Sequence, residues 1–314
     1  MCSACWHRSV ASAPEACGSF IVQFELLGTG TSAGVPAIGC DCAVCTSSDP
    51  RDRRLRTSAC LKFRDRQGRD RVILIDAGPD LRQQVLRAGL RRVDAILFTH
   101  NHVDHTFGLD EVRRFNVVME RAIDVYAEER TLAALRRVFA HIFDTASNVQ
   151  PSFVASLIAH RIEPGVSFEL YGVRISPLRL LHGRLPILGF RFDMDSEKSP
   201  DNPLPLAYCT DVSAIPPETW PQLEGLRTLV LDGLRHRRHP THFSIGQAVS
   251  VAQQIGAERT LLIHMSHEVS HAAMEDDLPE GIELAYDGQI LGCEEKDGTE
   301  AEAKFQIPEE PETS

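Results

Sequence analysis

Between Thr99 and His105 the chain reads Thr-His-Asn-His-Val-Asp-His, directly after the apolar run Val93 to Phe98 and shortly before Gly108-Leu109. Three histidines and a carboxylate in six residues are too close together to belong to separate elements. At a strand end, such a segment can aim several imidazoles and one carboxylate into a shared cleft. Neutral imidazole nitrogens and carboxylate oxygens are the donors that Zn²⁺ and similar divalent ions take. The chain has 13 histidines, so a polar loop that is merely His-rich is the plain alternative. The H-x-H-x-D-H spacing behind a buried strand sets this stretch apart from it.

The same arrangement recurs downstream. His182 follows Leu178 to Leu181, Asp211 follows Ala207 to Thr210, Asp232 follows Leu229 to Leu231, and His264 follows Leu261 to Ile263. A single His or Asp at a strand end is usually a turn or capping residue. Recurrence changes the reading, because parallel strand ends gather at one edge of a sheet. Asp76, before Ala77-Gly78, sits in the same kind of place, where it orients a metal-binding histidine or caps a turn.

Around these positions, strand and helix patterns alternate. Phe20 to Leu27 reads as a first strand, Thr57 to Phe63 and Arg71 to Asp76 as a hairpin, and Asp80 to Ala88 as a helix. Gly28 to Gly34 lacks the Lys-Ser/Thr of a phosphate loop and reads as a flexible bend lining the cleft. Asp110 to Met119 and Glu128 to Phe143 have helical spacing, with a short strand over Ile123 to Ala127 between them. Leu170 to Leu181, Leu188 to Asp193, Leu206 to Cys209, Thr228 to Leu231 and Arg259 to Ile263 are strand-like, and Ile245 to Ile255 is a helix. Ser196 to Pro205, rich in Pro, Asp and Asn, is a surface insertion. No linker interrupts the alternation, so residues 20–293 form one α/β domain between a loose extension over 1–19 and an acidic, disordered tail over 294–314.

Composition bounds the function. The net charge is −11, and Glu294 to Ser314 carries eight acids against two lysines, or −6, leaving about −5 for the rest. That is not a surface built for long nucleic acid. A small anionic substrate held by metals and a few arginines is compatible with it. No apolar run approaches the roughly 20 residues of a membrane span, and residues 1–19 lack a secretory apolar core. A cytoplasmic protein is expected, and its nine cysteines are then not a disulfide framework. Cys2-Ser3-Ala4-Cys5 reads as incidental. Cys40, Cys42 and Cys45 form C-x-C-x₂-C, which leaves a tetrahedral Zn²⁺ one ligand short. His267, three residues after His264, can close a Cys₃His site.

The H-x-H-x-D-H stretch and the later His, Asp and His, in that order, resemble the metallo-β-lactamase-fold hydrolases. The resemblance implies an αββα sandwich, two mixed sheets packed face to face with helices outside. It also implies one metal on His100, His102 and His182, a second on Asp104, His105 and His264, and Asp211 bridging both. Two such ions (Zn²⁺ or Mn²⁺) lower the pKa of a water between them, which suits hydrolysis of a phosphodiester or an activated acyl bond. Asp232 has no ligand role in the pattern and would support a nearby ligand.

With the cysteine cluster added, the chain looks like the phosphoribosyl 1,2-cyclic phosphate phosphodiesterases of the carbon–phosphorus lyase pathway. The shared features run from about Phe24 to Ile290. They include Gly28-Thr29-Gly30, Gly34-Val35-Pro36, Gly39-Cys40-x-Cys42-x₂-Cys45, Asp76-Ala77-Gly78 and His264-x-Ser266-His267. This implies a structural Zn²⁺ on Cys40, Cys42, Cys45 and His267. It also implies that His242, in Pro240-Thr241-His242-Phe243-Ser244, protonates the leaving oxygen or holds the phosphate. His242, Asp211 and Asp104 would then carry the chemistry.

Arg113 could meet a substrate phosphate through a bidentate pair, although Arg114 competes for that role and a surface salt bridge explains either. His236 and His239, in the basic stretch after Arg235, read as solvated. The expectation is a phosphodiesterase acting on a small phosphodiester, a ribosyl cyclic phosphate being the candidate, with a homodimer compatible and no long nucleic acid or membrane as partner. The alternatives are a thioester hydrolase, an RNA-processing hydrolase of the same fold, and a non-catalytic metal- or cofactor-handling module.

Overall fold

A computed structural model of the chain describes residues 22–144, 154–195 and 201–292. The expected extension over 1–19, the tail over 294–314 and part of the Ser196–Pro205 insertion lie outside the described residues. The first sheet has seven strands: β1 (Val22–Gly28), β2 (Ser58–Arg64), β3 (Asp70–Ile75), β4 (Ala95–Leu97), β5 (Ile123–Ala127), β6 (Leu157–Arg161) and, beyond β1, a final short strand (Ile290–Leu291). The second sheet also has seven: β7 (Phe168–Leu170), β8 (Val173–His182), β9 (Leu185–Met194), β10 (Leu206–Cys209), β11 (Thr228–Asp232), β12 (Arg259–Ile263) and β13 (Ile282–Leu284). The short last strand is β14.

The two sheets pack face to face. Phe24, Leu61, Ile73, Ile75 and Leu97 of the first meet Ile175, Phe190, Phe192, Tyr208, Val230 and Ile263 of the second in one buried cluster. Side chains alternate along each strand, so the outward set needs its own cover. On β3, Ile73 and Ile75 face the other sheet while Val72 and Leu74 pack outward with Leu81, Phe115 and Leu132. Those three residues belong to helices α1 (Leu81–Arg87), α3 (Arg113–Met119) and α4 (Glu129–Val138). The short helix α2 (Val103–Thr106) precedes α3, and α5 (Ala140–Phe143) follows α4. On β11, Val230 faces inward while Leu229 and Leu231 pack outward with Ile245, Ala248 and Ala252 of α6 (Ile245–Ile255). A last helix, α7 (His271–Met274), follows β12. Strands covered on both faces read as continuous apolar runs, which is how they look in the sequence. The result is the expected αββα sandwich.

Two elements depart from the sequence reading. The helical spacing from Glu128 ends at Phe143 as read, whereas Leu157–Arg161, which the sequence reading left without an element, pairs in parallel with β5 as the edge strand β6. The Gly28–Gly34 segment is not a flexible bend. Gly30 bridges to both Arg56 and Met265, and a Cβ at Gly28 would lie 2.0 Å from the Arg56 carbonyl oxygen. Glycine is needed there for close backbone approach. No helix of the described residues is long and apolar enough to cross a membrane.

Candidate metal centre

The site lies where strand ends of both sheets converge. β3 and β4 run parallel in one sheet, and β10, β11 and β12 run parallel in the other. Each of these strands, and β8, ends at a chemistry-bearing residue: Asp76 after β3, His100 after β4, His182 at the end of β8, Asp211 after β10, Asp232 at the end of β11 and His264 after β12. Asp76, Asp211 and His264 have φ near +60° (60°, 58° and 61°), a region L residues rarely adopt. Backbone strain of this kind marks sites where the surrounding fold over-determines a functional geometry.

Asp211 occupies the middle. Its Oδ1 lies 3.2 Å from His105 Nε2 and 3.3 Å from His264 Nε2, while Oδ2 lies 4.0 Å from His100 Nε2. Asp104 adds Oδ2 at 3.3 Å from His105 Nε2 and 3.9 Å from His264 Nε2. On the other side, the His100 ring is 4.5 Å from that of His102 and 5.7 Å from that of His182. Potential ligand atoms of Asp104, His105, Asp211 and His264 lie within 4.8 Å of one another, as do those of His100, His102 and Asp211, and those of His182, Asp211 and His242. Asp211 belongs to all three groups.

The donor set fits divalent ions. His100 Nε2, His105 Nε2 and His264 Nε2 are buried without a hydrogen-bond partner, an arrangement native proteins avoid unless something else satisfies the atoms. Burial and the neighbouring His105 hold His100 well below the ordinary histidine range, and burial lowers His264, so both are neutral, as a ligand must be. Burial opposes charge on His105 too, but Asp211, Asp76 and Asp104 more than offset it and push this histidine well above its ordinary value. Burial likewise opposes charge on Asp211, and His264 and His105 overcome it, keeping the carboxylate ionised. The pocket is built to hold positive charge.

Outer contacts fix the rings. Asp76 Oδ2 accepts from His105 Nδ1 at 2.7 Å, and the same carboxylate takes the Thr99 amide at 2.8 Å. His182 Nδ1 donates to the Thr241 carbonyl at 2.7 Å. His242 lies over His264 with rings 4.7 Å apart, and its Nδ1 is 2.6 Å from Asp232 Oδ2. The same Asp232 oxygen accepts the Val212 amide at 2.8 Å. Asp232 therefore holds His242, and it also lies in one group with His242 and the expected ligand His264, with donor atoms within 4.8 Å of one another. Ser244 and Gln247 form a capping box at the start of α6, which anchors the loop bearing His242.

Cys40, Cys42, Cys45 and His267 form a separate group, with ligand atoms within 4.8 Å of one another. Cys40 Sγ is 3.1 Å and Cys42 Sγ 3.4 Å from His267 Nδ1. The Cys45 amide and His267 lower the Cys42 thiol to about 6, so it is a thiolate at neutral pH. Burial pushes Cys45 up to about 11. Three sulfurs and one imidazole are a closed set for tetrahedral Zn²⁺.

Arg113, on α3, is held by Asp110, with Nη1 2.6 Å from the carboxylate. His239, expected to be solvated, is half-buried and lies 5.2 Å from His242 ring to ring. No spacing rule marks His239, because its position depends on how the loop folds back over His182.

A family model described as "Beta-lactamase superfamily domain" matches residues 71–265. A diphosphatase from the PhnP family, known by its crystal structure, is 39% identical, with a TM-score of 0.76 covering 87% of this chain and 98% of that one. An octanoyltransferase of Porphyromonas gingivalis is 39% identical over 273 residues, 86% of this chain and 51% of its own length. The chain thus spans about half the length of that relative. Zn²⁺-bound PqqB from Methylobacterium extorquens shares the fold, with 20% identity and a TM-score of 0.65 over 86% of this chain and 99% of that one.

Proposed function

This chain belongs to the β-lactamase superfamily and, within it, to the PhnP family of metal-dependent hydrolases, and on that premise we propose that it is a dinuclear phosphodiesterase acting on a small phosphorylated molecule. The observation that carries the proposal is the placement of Asp211, whose Oδ1 faces His105 and His264 while Oδ2 faces His100. In this reading His100, His102 and His182 hold one ion, Asp104, His105 and His264 hold the other, and Asp211 is shared. Divalent ions there, Zn²⁺ or Mn²⁺, would supply Lewis acidity and a water acidic enough to attack near neutral pH.

The chain's own residues do the remaining work. Asp76 and the Thr241 carbonyl fix the rings of His105 and His182. Asp232 fixes Nδ1 of His242 and leaves Nε2 as the nitrogen available to substrate. Burial holds His242 below the ordinary histidine value and Asp232 above the ordinary carboxylate value. An anionic substrate arriving beside His242 favours a proton on Nε2, and the leaving oxygen takes it. Cys40, Cys42, Cys45 and His267 would hold a structural Zn²⁺ that ties the loop after β1 to the segment carrying His264.

The net charge of −11 supports a small substrate over long RNA. The described cysteines are unpaired, which suits a reducing compartment such as the cytoplasm. A second reading, an activated acyl substrate, is favoured by the octanoyltransferase relative. The chain spans only about half of that protein and nearly all of the diphosphatase, so phosphorus chemistry has the stronger support.

The test is hydrolysis of bis(p-nitrophenyl) phosphate and a ribose cyclic phosphate by metal-depleted protein supplied with Mn²⁺ or Zn²⁺. Metal-dependent turnover, lost in Asp211→Ala, is expected. No turnover with both ions bound would overturn the proposal in favour of the acyl reading or a non-catalytic module.

A further inference from the structure

A strip of positive charge runs over α1 in this otherwise acidic chain. Leu81 to Arg92 holds four arginines and no acidic residue. Arg87 and Arg92 are engaged by Asp287 and Asp94, at 3.2 and 2.8 Å. Arg82 and Arg91 are exposed and make no ion pair among the described residues, and the same holds for Arg114 on α3. These three arginines rim a groove of about 350 Å³ between α1 and α3, with Glu111 the single acid among the described residues lining it. Leu90 and Phe115 line its inside, while Leu86 and Val118 stand 64% and 56% exposed at its edges. An exposed apolar patch with a charged rim is the mark of an interaction site.

A second groove, of about 400 Å³, adjoins the first. It shares Leu90 and Arg91 with it and reaches Gln23 at the start of β1. There the described chain departs. A Cβ on Gly292 would lie 3.2 Å from Gln23 Cα, so the residues from 293 onward set out beside this second groove.

The sequence that follows complements both grooves. Glu294 to Ser314 carries a net −6. Its two largest apolar side chains, Phe305 and Ile307, are two residues apart, which puts them on one side of an extended backbone. Pro308 favours that conformation at Ile307. Glu300 and Glu302 precede the pair, and Glu309, Glu310 and Glu312 follow it. Phe305 lies thirteen residues beyond Gly292, a reach of up to about 45 Å. The way from β1 across β2 and β3 to the far side of α1 is on the order of 20 Å, two strand spacings and a helix width.

We propose that residues 300–312 dock in the α1–α3 groove of their own chain. Phe305 and Ile307 pack among Leu86, Leu90, Phe115 and Val118, and the flanking glutamates meet Arg82, Arg91 and Arg114. Tethering sets an effective concentration on the order of millimolar, so the segment fills the groove ahead of a free peptide of equal affinity. This docking is independent of the hydrolytic reading. α1 continues from the Asp76 turn and α3 from the H-x-H-x-D-H loop, and the Gly108 amide joins the two by donating to the Ala77 carbonyl at 2.8 Å. The docked segment straps together the helices that follow these loops.

The experiment uses the whole 314-residue chain, with the photocrosslinking amino acid p-benzoylphenylalanine in place of Phe305. An equal mixture of unlabelled and ¹⁵N-labelled protein is irradiated and the crosslinked peptides are mapped. Crosslinks within one chain, to peptides from Leu81–Arg87 or Arg113–Met119, are expected. Their yield should fall about tenfold in Leu86→Glu/Val118→Glu, which removes two apolar contacts and adds two acids, and should weaken with added salt. Both substituted residues are exposed, so that variant keeps its fold. Crosslinks between labelled and unlabelled chains would give the groove to a second copy and overturn the proposal. Crosslinks to other surfaces, or a yield that the double variant leaves unchanged, would overturn it as well. Hydrogen exchange gives a reading without the bulky probe. Phe305→Asp/Ile307→Asp should speed exchange of the α1 and α3 amides severalfold, and unchanged exchange there rules the docking out.

Discussion

Asp76 Oδ2 lies 2.7 Å from His105 Nδ1, with both side chains fully buried. The carboxylate sets the ring so that Nε2 faces Asp211 and Asp104, and it raises the basicity of that nitrogen. Losing such a partner typically costs 10- to 100-fold in metal affinity or activity. Asp76→Asn keeps the size and tolerates the +60° φ, so it should fold. We expect about that loss in Mn²⁺ or Zn²⁺ affinity by titration, with activity partly restored at saturating metal. Wild-type affinity in the variant would show that Asp76 serves the turn alone.

Asp232 and His242 should separate binding from chemistry. Asp232→Asn leaves every expected ligand in place but takes the charge from His242 Nδ1. kcat should fall on the order of 10²- to 10⁴-fold, the range of a general acid, with KM and bound metal little changed. A proportional loss of metal would instead make His242 a ligand.

Cysteine labelling tests the proposed zinc site at Cys40, Cys42, Cys45 and His267. With its thiol lowered to about 6, Cys42 is ionised at pH 7, whereas burial holds Cys45 at about 11 and Cys60 and Cys209 at about 12. In chelator-treated protein, iodoacetamide should modify Cys42 ahead of these three, with a rate that rises through pH 6 and levels off. Added Zn²⁺ should protect it. Equal labelling of Cys42 and Cys45 in peptide maps would contradict this arrangement.

Stability has its own pH signature at Asp94. Its buried carboxylate meets Arg92 and Arg71 at 2.8 Å, Arg121 at 2.9 Å and the Val72 amide at 2.9 Å. Burial pushes its pKa up, but these partners outweigh burial and hold it below the ordinary carboxylate value. A depressed pKa contributes stability that is present above the unfolded value and lost as pH falls through the folded one. Asp94→Asn leaves Arg71 buried with one fewer counter-charge and should cost about 3 kcal/mol at pH 7. Urea midpoints should show that gap undiminished down to about pH 4 and closing below it. A gap already closed at pH 6 would rule the account out.

The grouping of these side chains was legible because a metal centre of this kind would need particular side chains at strand ends, and those ends follow apolar runs. His100, His102, Asp104, His105, His182, Asp211 and His264 announce themselves in that way. The two-sheet core was legible for the same reason, since β3, β11 and β12 are apolar on both faces. Edge strands were not. β6 has no fully buried residue, and β13 and β14 have three and two residues, so neither alternation nor length marks them. Nor could spacing show that the glycines after β1 press against Arg56 and Met265, or that His239 folds back onto His242. Those are contacts between segments far apart in sequence, and they exist only once the sandwich has closed.

The Cys40–Cys45 loop and His267 meet across more than two hundred residues, and His264 lies three residues from the far end of that span. On a ribosome this chain would display H-x-H-x-D-H long before its last ligand emerged. Until that last segment is in place, the imidazoles of the early stretch have no His264 to face and no His267 closes the cysteine cluster. The group around Asp211 is complete only once β12 pairs in parallel with β11 and brings His264 to it, so the site depends on the last strands of the second sheet.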